Sequence, residues 1–181
     1  MLIILDRDGV INEDSPDFIK SPEEWRAIPG SLEAIAVLNR QGHTVVVASN
    51  QSGISRAYFS LPVLLAIHLK MQTELAKLGG HLDGVYVCPH RDEDHCPCRK
   101  PNPGMLLQIA KDFKVDLAKD GLLIGDSVRD ILAAQAAGCR AVLVETGKQP
   151  PDHSPVEGLA KAPVYKNLSV WAAGAYYRTG T

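Results

Sequence analysis

The chain has 181 residues, of which 45% are hydrophobic and 22% charged, and its formal net charge is −2 at pH 7. This length suits one domain, residues 1–181, and the composition is that of an ordinary globular protein with a full core. The slightly acidic charge and the lack of a dense basic run argue against nucleic acid as a partner.

Short apolar runs alternate with helical patterns along the chain. Strands are predicted at 2–5, 44–49, 84–88, 122–125 and 140–145. Helices are predicted at 31–42, 60–79, from 102 and at 128–137, with Ser60 and Asn102 as caps. A Pro-rich loop, 150–163, and a short strand or helix follow. This alternation predicts an α/β fold, in which helices cover both faces of a central parallel sheet.

Polar residues of kinds that take part in catalysis stand at or just after the ends of four predicted strands. In chain order these residues are Asp6 with Asp8, 49–51, the loop from Cys88 to Lys100, and Asp126 with Asp130. Parallel sheets bind ligands outside the carboxyl ends of their strands, where these residues would converge. The sequence therefore predicts one composite site.

The segment DRDGVIN, residues 6–12, places two carboxylates two positions apart. With Asp126 they would repel one another unless a cation compensates, and Mg²⁺ suits oxygen ligands and a phosphate substrate. One carboxylate can attack phosphorus, and the other can donate and accept a proton. A calcium loop is excluded because it needs Gly at position six and Glu at twelve, whereas Gly9 is fourth and Asp17 twelfth.

Two further segments could hold a phosphate group. Ser49 ends a strand and begins a polar turn, whose hydroxyl and backbone N–H groups could bind phosphate oxygens. Lys100 supplies a point charge, and Arg99 a planar fork for phosphate or carboxylate. An ordinary turn and a solvated basic pair remain the alternatives.

The pattern C-x-H-x5-C-x-C offers Cys88, His90, Cys96 and Cys98 as ligands. Three cysteines and one histidine form a closed tetrahedral set, which indicates a structural Zn²⁺ that braces the loop before Lys100. His95 is the second choice to His90, and Cys139 is expected in the core. The first nine residues lack a secretory apolar region and no run could span a bilayer, so we expect a cytoplasmic protein without membrane contact. Thiols stay reduced there, which weakens the alternative of a disulfide from Cys88 to Cys96 or Cys98.

With these motifs, the chain resembles the haloacid dehalogenase (HAD) superfamily of phosphatases. The matching positions are 6–12, Ser49, Lys100, and 125–127 with Asp130. The stretches LDRDGVINED, SNQSGISR, CPH…CPCRKPNPGM, IGDS and VETGK, within about residues 1–148, are similar to the D-glycero-D-manno-heptose 1,7-bisphosphate 7-phosphatases. The resemblance implies a Rossmann-like three-layer α/β/α HAD fold, and the short insertions imply no cap domain (C0).

The resemblance also implies a reaction: removal of the 7-phosphate through an aspartyl-phosphate, giving heptose 1-phosphate for ADP-heptose and lipopolysaccharide precursors. Asp6 would be the nucleophile and a Mg²⁺ ligand, and Asp126 would be another ligand. Asp8 would be the general acid/base, with its backbone carbonyl on the metal. Ser49 and Lys100 would hold the transferring phosphoryl group.

Other residues would contact the remainder of the sugar bisphosphate, the small-molecule partner: Asp14, Asp17, Asn50, Gln51, Ser52, Arg99 and Ser127. Ser127 stands where many relatives carry Lys, and Asp130 would orient Lys100 or the waters of the metal. Cys88, His90, Cys96 and Cys98 match the zinc ligands of the family. A monomer is expected.

Other functions remain open. Histidinol-phosphate phosphatases share the zinc loop and its short spacing, but RKPNPGM and the lack of a fused dehydratase domain favour the heptose family, with either anomer as substrate. The net charge argues against a DNA 3′-phosphatase. A phosphoaccepting receiver domain would need Asp where Ser49 or Cys88 ends a strand. A zinc-binding interaction module would leave Asp6 and Lys100 without a role.

Overall fold

The computed structural model describes residues 1–147 and 162–176. Its strands are β1 (Leu2–Leu5), β2 (Thr44–Asn50), β3 (Gly84–Cys88), β4 (Gly121–Gly125), β5 (Arg140–Val144) and β6 (Val164–Tyr165). Its helices are α1 (Ser31–Arg40), α2 (Leu61–Lys77), α3 (Gly104–Phe113), α4 (Leu117–Asp120), α5 (Val128–Ala136) and α6 (Leu168–Tyr176), with a 3₁₀ turn at Asp92–Asp94. The strands form one parallel sheet in the order β3-β2-β1-β4-β5-β6.

Alternating side chains of the strands form two hydrophobic cores, one on each face of the sheet. Ile3 and Leu5 of β1 belong to the core that α1, α2 and α6 cover. Leu2 and Ile4 belong to the core that α3 and α5 cover. Because both faces are buried, the strands have no polar face, which explains their nearly continuous apolar sequence. The predicted three-layer fold with a parallel sheet is confirmed.

The start of α3 differs from the prediction that Asn102 caps it. The helix begins at Gly104, after Pro103, and it has no side-chain cap hydrogen bond. Asn102 Nδ2 instead donates to the carbonyl oxygen of Cys96 at 2.8 Å, because the preceding loop folds back onto this turn. Ser60 does precede α2, also without a cap hydrogen bond from its side chain. Most of the predicted Pro-rich loop lies outside the described residues.

The sheet order brings the catalytic candidates together. β1 lies between β2 and β4, so the residues that follow these three strands share one edge of the sheet. The connections above that edge, 6–30 and 51–60, contain no helix, and the only β-pairing in them consists of isolated bridges. Within residues 1–147, therefore, no cap domain covers the site, as expected from the short insertions. None of the described helices combines the length and apolar composition needed to cross a bilayer.

Candidate active site

A buried lysine joins two carboxylates at the centre of the site. Lys100 Nζ lies 3.1 Å from Asp6 Oδ2 and 2.6 Å from Asp130 Oδ1. Burial opposes the charge of this lysine, but the two carboxylates outweigh burial and raise its pKa above the usual range. Lys100 is thus a fixed positive charge beside Asp6.

Asp130 holds Lys100 and also the first turn of α5. Its Oδ2 accepts hydrogen bonds from the backbone N–H of Ser127 at 3.1 Å and from the Ser127 hydroxyl at 2.6 Å. The sequence assigned Asp130 either to Lys100 or to metal-bound waters, and the structure places it against Lys100. A methyl group on Gly125 would collide with Asp130, so glycine is needed at the end of β4.

Three carboxylates form a possible metal site. One oxygen each from Asp6, Asp126 and Asp130 lies within 4.8 Å of the others. Burial raises the pKa of Asp6 to about 7, despite the opposing charge of Lys100. Burial, and then the charges of Asp6 and Asp130, raise the pKa of Asp126 to about 8. Such a cluster favours a divalent cation, which would neutralise the carboxylates without protons.

Asp8 directs its carboxylate to a different set of partners. Arg7 Nη2 donates to both of its oxygens, at 2.7 and 2.9 Å, and Asn12 and Gln51 each donate at 2.9 Å. Burial acts to raise the pKa of Asp8, but Arg7 and these hydrogen bonds outweigh burial and lower it. The carboxylate cluster therefore contains Asp130 and not Asp8, whose oxygens face these other partners. An Asp8 ligand to a metal would be its backbone carbonyl, as the resemblance implied.

Arg7 and His68 are buried functional candidates that the sequence did not reveal. Arg7 is 1% exposed, and its Nη1 lies 3.4 Å from His68 Nε2 on α2. Burial and the charge of Arg7 lower the pKa of His68 to about 4, so its ring is neutral and can accept a hydrogen bond. In the sequence, the position of Arg7 between two aspartates could have indicated a role in the site. Nothing in the sequence indicated His68, since its contact with Arg7 depends on how α2 packs.

Ser49 and its neighbours connect the site to β2. Gln51 Nε2 donates to Ser49 Oγ at 2.8 Å, in addition to Asp8. The Asn50 side chain donates to the Lys100 carbonyl oxygen at 2.9 Å and accepts from the Lys100 N–H at 3.1 Å. Asn50 was predicted to contact substrate, but both polar atoms of its side-chain amide bond to the Lys100 backbone.

These residues line a cavity of about 650 Å³ above the sheet edge. Among the predicted substrate contacts, Asp14, Ser52, Arg99 and Ser127 reach it, together with Asn50 and Gln51. Asp17 does not line it: this residue is exposed, and its backbone carbonyl accepts a hydrogen bond from Lys20 at 2.7 Å. Arg99 is also paired with Asp92, its Nε lying 2.7 Å from Asp92 Oδ1.

The cysteine loop brings its four predicted ligands together. The sulfur atoms of Cys88, Cys96 and Cys98 lie 3.2 to 3.5 Å apart, and His90 Nδ1 lies 3.4 to 3.5 Å from two of them. The distances between sulfur atoms are a few tenths of an ångström below the edge of a tetrahedron with Zn–S bonds of about 2.3 Å. The cysteines are free, so the disulfide alternative is wrong, and His95 is not in the cluster. Cys139 lies in the core, as predicted.

The loop is tied to the segment after β2. Ser55 Oγ donates to the Pro89 carbonyl at 2.6 Å, and the Arg91 guanidinium donates to the Ser55 carbonyl. The Gln51 N–H donates to the Cys88 carbonyl at 2.7 Å. A metal ion in the Cys/His cluster would therefore fix the loop that carries Lys100 and the loop that follows Ser49.

Comparisons with known proteins give the family. A HAD-hydrolase-like family model matches residues 97–170. The chain is 55% identical over 147 residues to D-glycero-β-D-manno-heptose-1,7-bisphosphate 7-phosphatase of Bordetella bronchiseptica, with 81% of each chain covered. It is 53% identical to the Pseudomonas aeruginosa protein of the same name over 148 residues, covering 81% of this chain and 82% of the relative. The chain belongs to the heptose-bisphosphate phosphatase family of HAD-like hydrolases.

The solved structures agree with this family. The crystal structure of the B. bronchiseptica D,D-heptose 1,7-bisphosphate phosphatase, complexed with magnesium and phosphate, superposes with a TM-score of 0.92 at 48% identity over 98% of both chains. The chain is thus a phosphoric monoester hydrolase, and the receiver-domain and interaction-module alternatives are wrong. The histidinol-phosphate alternative is not favoured, since these relatives share the heptose-bisphosphate name.

Proposed function

We propose that this heptose-bisphosphate phosphatase relative removes the 7-phosphate of D-glycero-β-D-manno-heptose 1,7-bisphosphate and leaves the 1-phosphate in place. The observation that carries the proposal is the contact of buried Lys100 with Asp6 beside Asp126, in a cavity open at the sheet edge. The names of the relatives supply the substrate and its β-anomer.

The roles that the family resemblance implies for these side chains give a two-step reaction. An Asp6 carboxylate oxygen attacks the phosphorus, the bond from phosphorus to the C7 oxygen breaks, and Asp8 gives its proton to that oxygen. Water then attacks the aspartyl-phosphate and gives a proton back to Asp8, which releases phosphate and restores Asp6. Lys100 and Ser49 bind phosphoryl oxygens throughout. Asp8 is ionised while it accepts hydrogen bonds from Arg7 and Gln51, because these partners outweigh burial and hold its pKa low. It must therefore turn away from them and bind a proton before it can act as the acid.

Asp6 and Asp126, with the backbone carbonyl of Asp8, would hold Mg²⁺, and these partly buried carboxylates fit that ion. When bound, Mg²⁺ would neutralise these carboxylates and polarise the phosphoryl group. Asp130 belongs to the same cluster, but Lys100 and Ser127 already occupy its oxygens, so we assign it to positioning.

The Cys/His cluster fits Zn²⁺ in a structural role. Four protein ligands would fill a tetrahedral shell and leave no position for substrate. Arg99, Asp14 and Ser52 are proposed to contact the rest of the sugar bisphosphate, because they line the cavity. The cytoplasmic location, the single domain and the monomeric state stay predictions.

Kinetics on three substrates test the proposal. We expect phosphate release, with Mg²⁺ added, to give a kcat/KM at least about a hundredfold higher for the β-heptose bisphosphate than for its α-anomer or for histidinol phosphate. A preference for histidinol phosphate would reject the substrate and keep the mechanism. No phosphate from any of the three would reject the roles of Asp6 and Asp8.

A further inference from the structure

Two aromatic side chains meet at the mouth of the active-site cavity. Phe18 belongs to the connection after β1 and Tyr58 to the connection after β2, and both line the cavity. Their ring centroids lie 5.1 Å apart at an interplanar angle of 60°, an edge-to-face contact. Tyr58 is 54% exposed, so its ring contributes little to either hydrophobic core.

Two backbone positions near these rings have positive φ angles, which residues other than glycine rarely adopt. Phe18 has φ +64°, and Ala57, directly before Tyr58, has φ +56°. Local hydrogen bonds hold both turns, from Phe18 N to the Ser15 carbonyl at 3.3 Å and from Tyr58 N to the Gly53 carbonyl at 2.9 Å. Such positions cluster at functional sites, where the surrounding structure maintains them.

The rest of the cavity lining is mainly polar or charged. Its polar lining includes carboxylates, Lys100 and the three arginines Arg56, Arg99 and Arg129. Its apolar lining residues are Phe18, Ile19, Tyr58 and Val128. A heptose bisphosphate carries two phosphates and several hydroxyl groups, which polar and charged side chains can bind, and it also has C–H faces that can pack on aromatic rings.

We propose that the Phe18–Tyr58 ring pair is the wall against which the carbon skeleton of the sugar bisphosphate packs while Asp6 reacts with its phosphate. The pair thereby makes the enzyme selective for the sugar over smaller phosphate compounds. This inference rests on the proposed function. Two rigid rings provide a large contact area at a low entropic cost, which suits a site that no cap domain closes within residues 1–147.

Paired kinetics on a large and a small substrate test the ring pair. The variants are Tyr58→Ala, Phe18→Ala and Tyr58→Phe, and the substrates are β-heptose 1,7-bisphosphate and acetyl phosphate, which lacks a sugar. Leu69→Ala is the matched control, because Leu69 is 67% exposed on α2 and lies outside the cavity lining. Thermal melting of each variant shows whether the fold is intact.

We expect Tyr58→Ala and Phe18→Ala to raise KM for the heptose bisphosphate about tenfold, the size of one lost aromatic contact. Their kcat/KM for acetyl phosphate should fall by less than about threefold, since that molecule is too small to reach the rings. Tyr58→Phe should restore most of the affinity, because it keeps the ring. Leu69→Ala should match the wild-type enzyme on both substrates.

Equal losses on both substrates, or none on the heptose bisphosphate, would overturn the ring-pair proposal while leaving the proposed function in place. A wild-type enzyme that cleaves acetyl phosphate but not the heptose bisphosphate would reject the proposed substrate and the ring-pair proposal with it.

Discussion

At the scale of residues, the site depends on two buried positive charges, Lys100 and Arg7, each paired with a carboxylate. Lys100 contacts Asp6 and Asp130, while Asp8 is paired with Arg7 on the other side of the DRDG segment. The two aspartates of that segment thus have opposite pKa shifts, upward for Asp6 and downward for Asp8. The two shifts differ because burial outweighs the charge of Lys100 at Asp6, whereas Arg7 and the hydrogen bonds outweigh burial at Asp8.

A substitution of Asp6 tests its role in the reaction separately from any role in folding. We expect Asp6→Asn to lower kcat by at least about a thousandfold, because an amide cannot form the aspartyl-phosphate. The variant should melt at or above the wild-type temperature, since it removes a buried charge and Lys100 keeps Asp130. Asp120→Asn, in the short helix α4, is the control and should leave both quantities unchanged. Activity within tenfold of the wild type would contradict the covalent mechanism.

The raised carboxylate pKa values predict how Mg²⁺ binding depends on pH. Burial raises the pKa of Asp6 to about 7 and that of Asp126 to about 8. An unfolded aspartate titrates at about 3.9, so the metal-free fold loses stability as the pH rises from about 4 to about 8. Mg²⁺ competes with those protons, so it should raise the melting temperature more at pH 8.5 than at pH 5.5. Melting curves with and without Mg²⁺ measure this, and an equal shift at both values would contradict it.

At the scale of elements, the loop between β3 and α3 carries both a ligand cluster and Lys100. It has a single 3₁₀ turn and no core of its own, so a metal ion would supply most of its stability. Hydrogen bonds from Ser55, Arg91 and Gln51 transmit its shape to the segment after β2. A loosened loop should therefore affect both stability and catalysis.

Removal of one ligand tests this connection. We expect Cys98→Ser to release zinc and to lower the melting temperature by more than about 5 °C, together with kcat. Cys139→Ser is the matched control: its thiol is buried in the core, so stability should fall while bound zinc stays at one equivalent. Metal analysis by mass spectrometry and melting curves give the result. A Cys98→Ser variant with wild-type zinc, stability and kcat would contradict the bracing role.

At the scale of the whole molecule, the apolar strands made the fold predictable. Runs such as LIIL and VVVAS indicate strands buried on both faces, and polar residues such as Asp6 and Ser49 mark where each strand ends. Contacts between distant segments were not predictable. The Asn102 side chain donates to the Cys96 carbonyl and does not cap its helix. The Asn50 side chain donates to the Lys100 carbonyl, and His68 of α2 contacts Arg7 of the loop after β1. Each depends on how loops pack after the sheet forms, which local spacing does not encode.

The most direct test of the central claim is phosphorus NMR of the reaction on D-glycero-β-D-manno-heptose 1,7-bisphosphate. We predict that the signal of the C7 phosphate disappears as inorganic phosphate appears, while the C1 phosphate persists with its β configuration. In H₂¹⁸O, a single turnover should place the label in the released phosphate, as attack on an aspartyl-phosphate at phosphorus requires. Loss of the C1 phosphate, or an unchanged spectrum, would contradict the account.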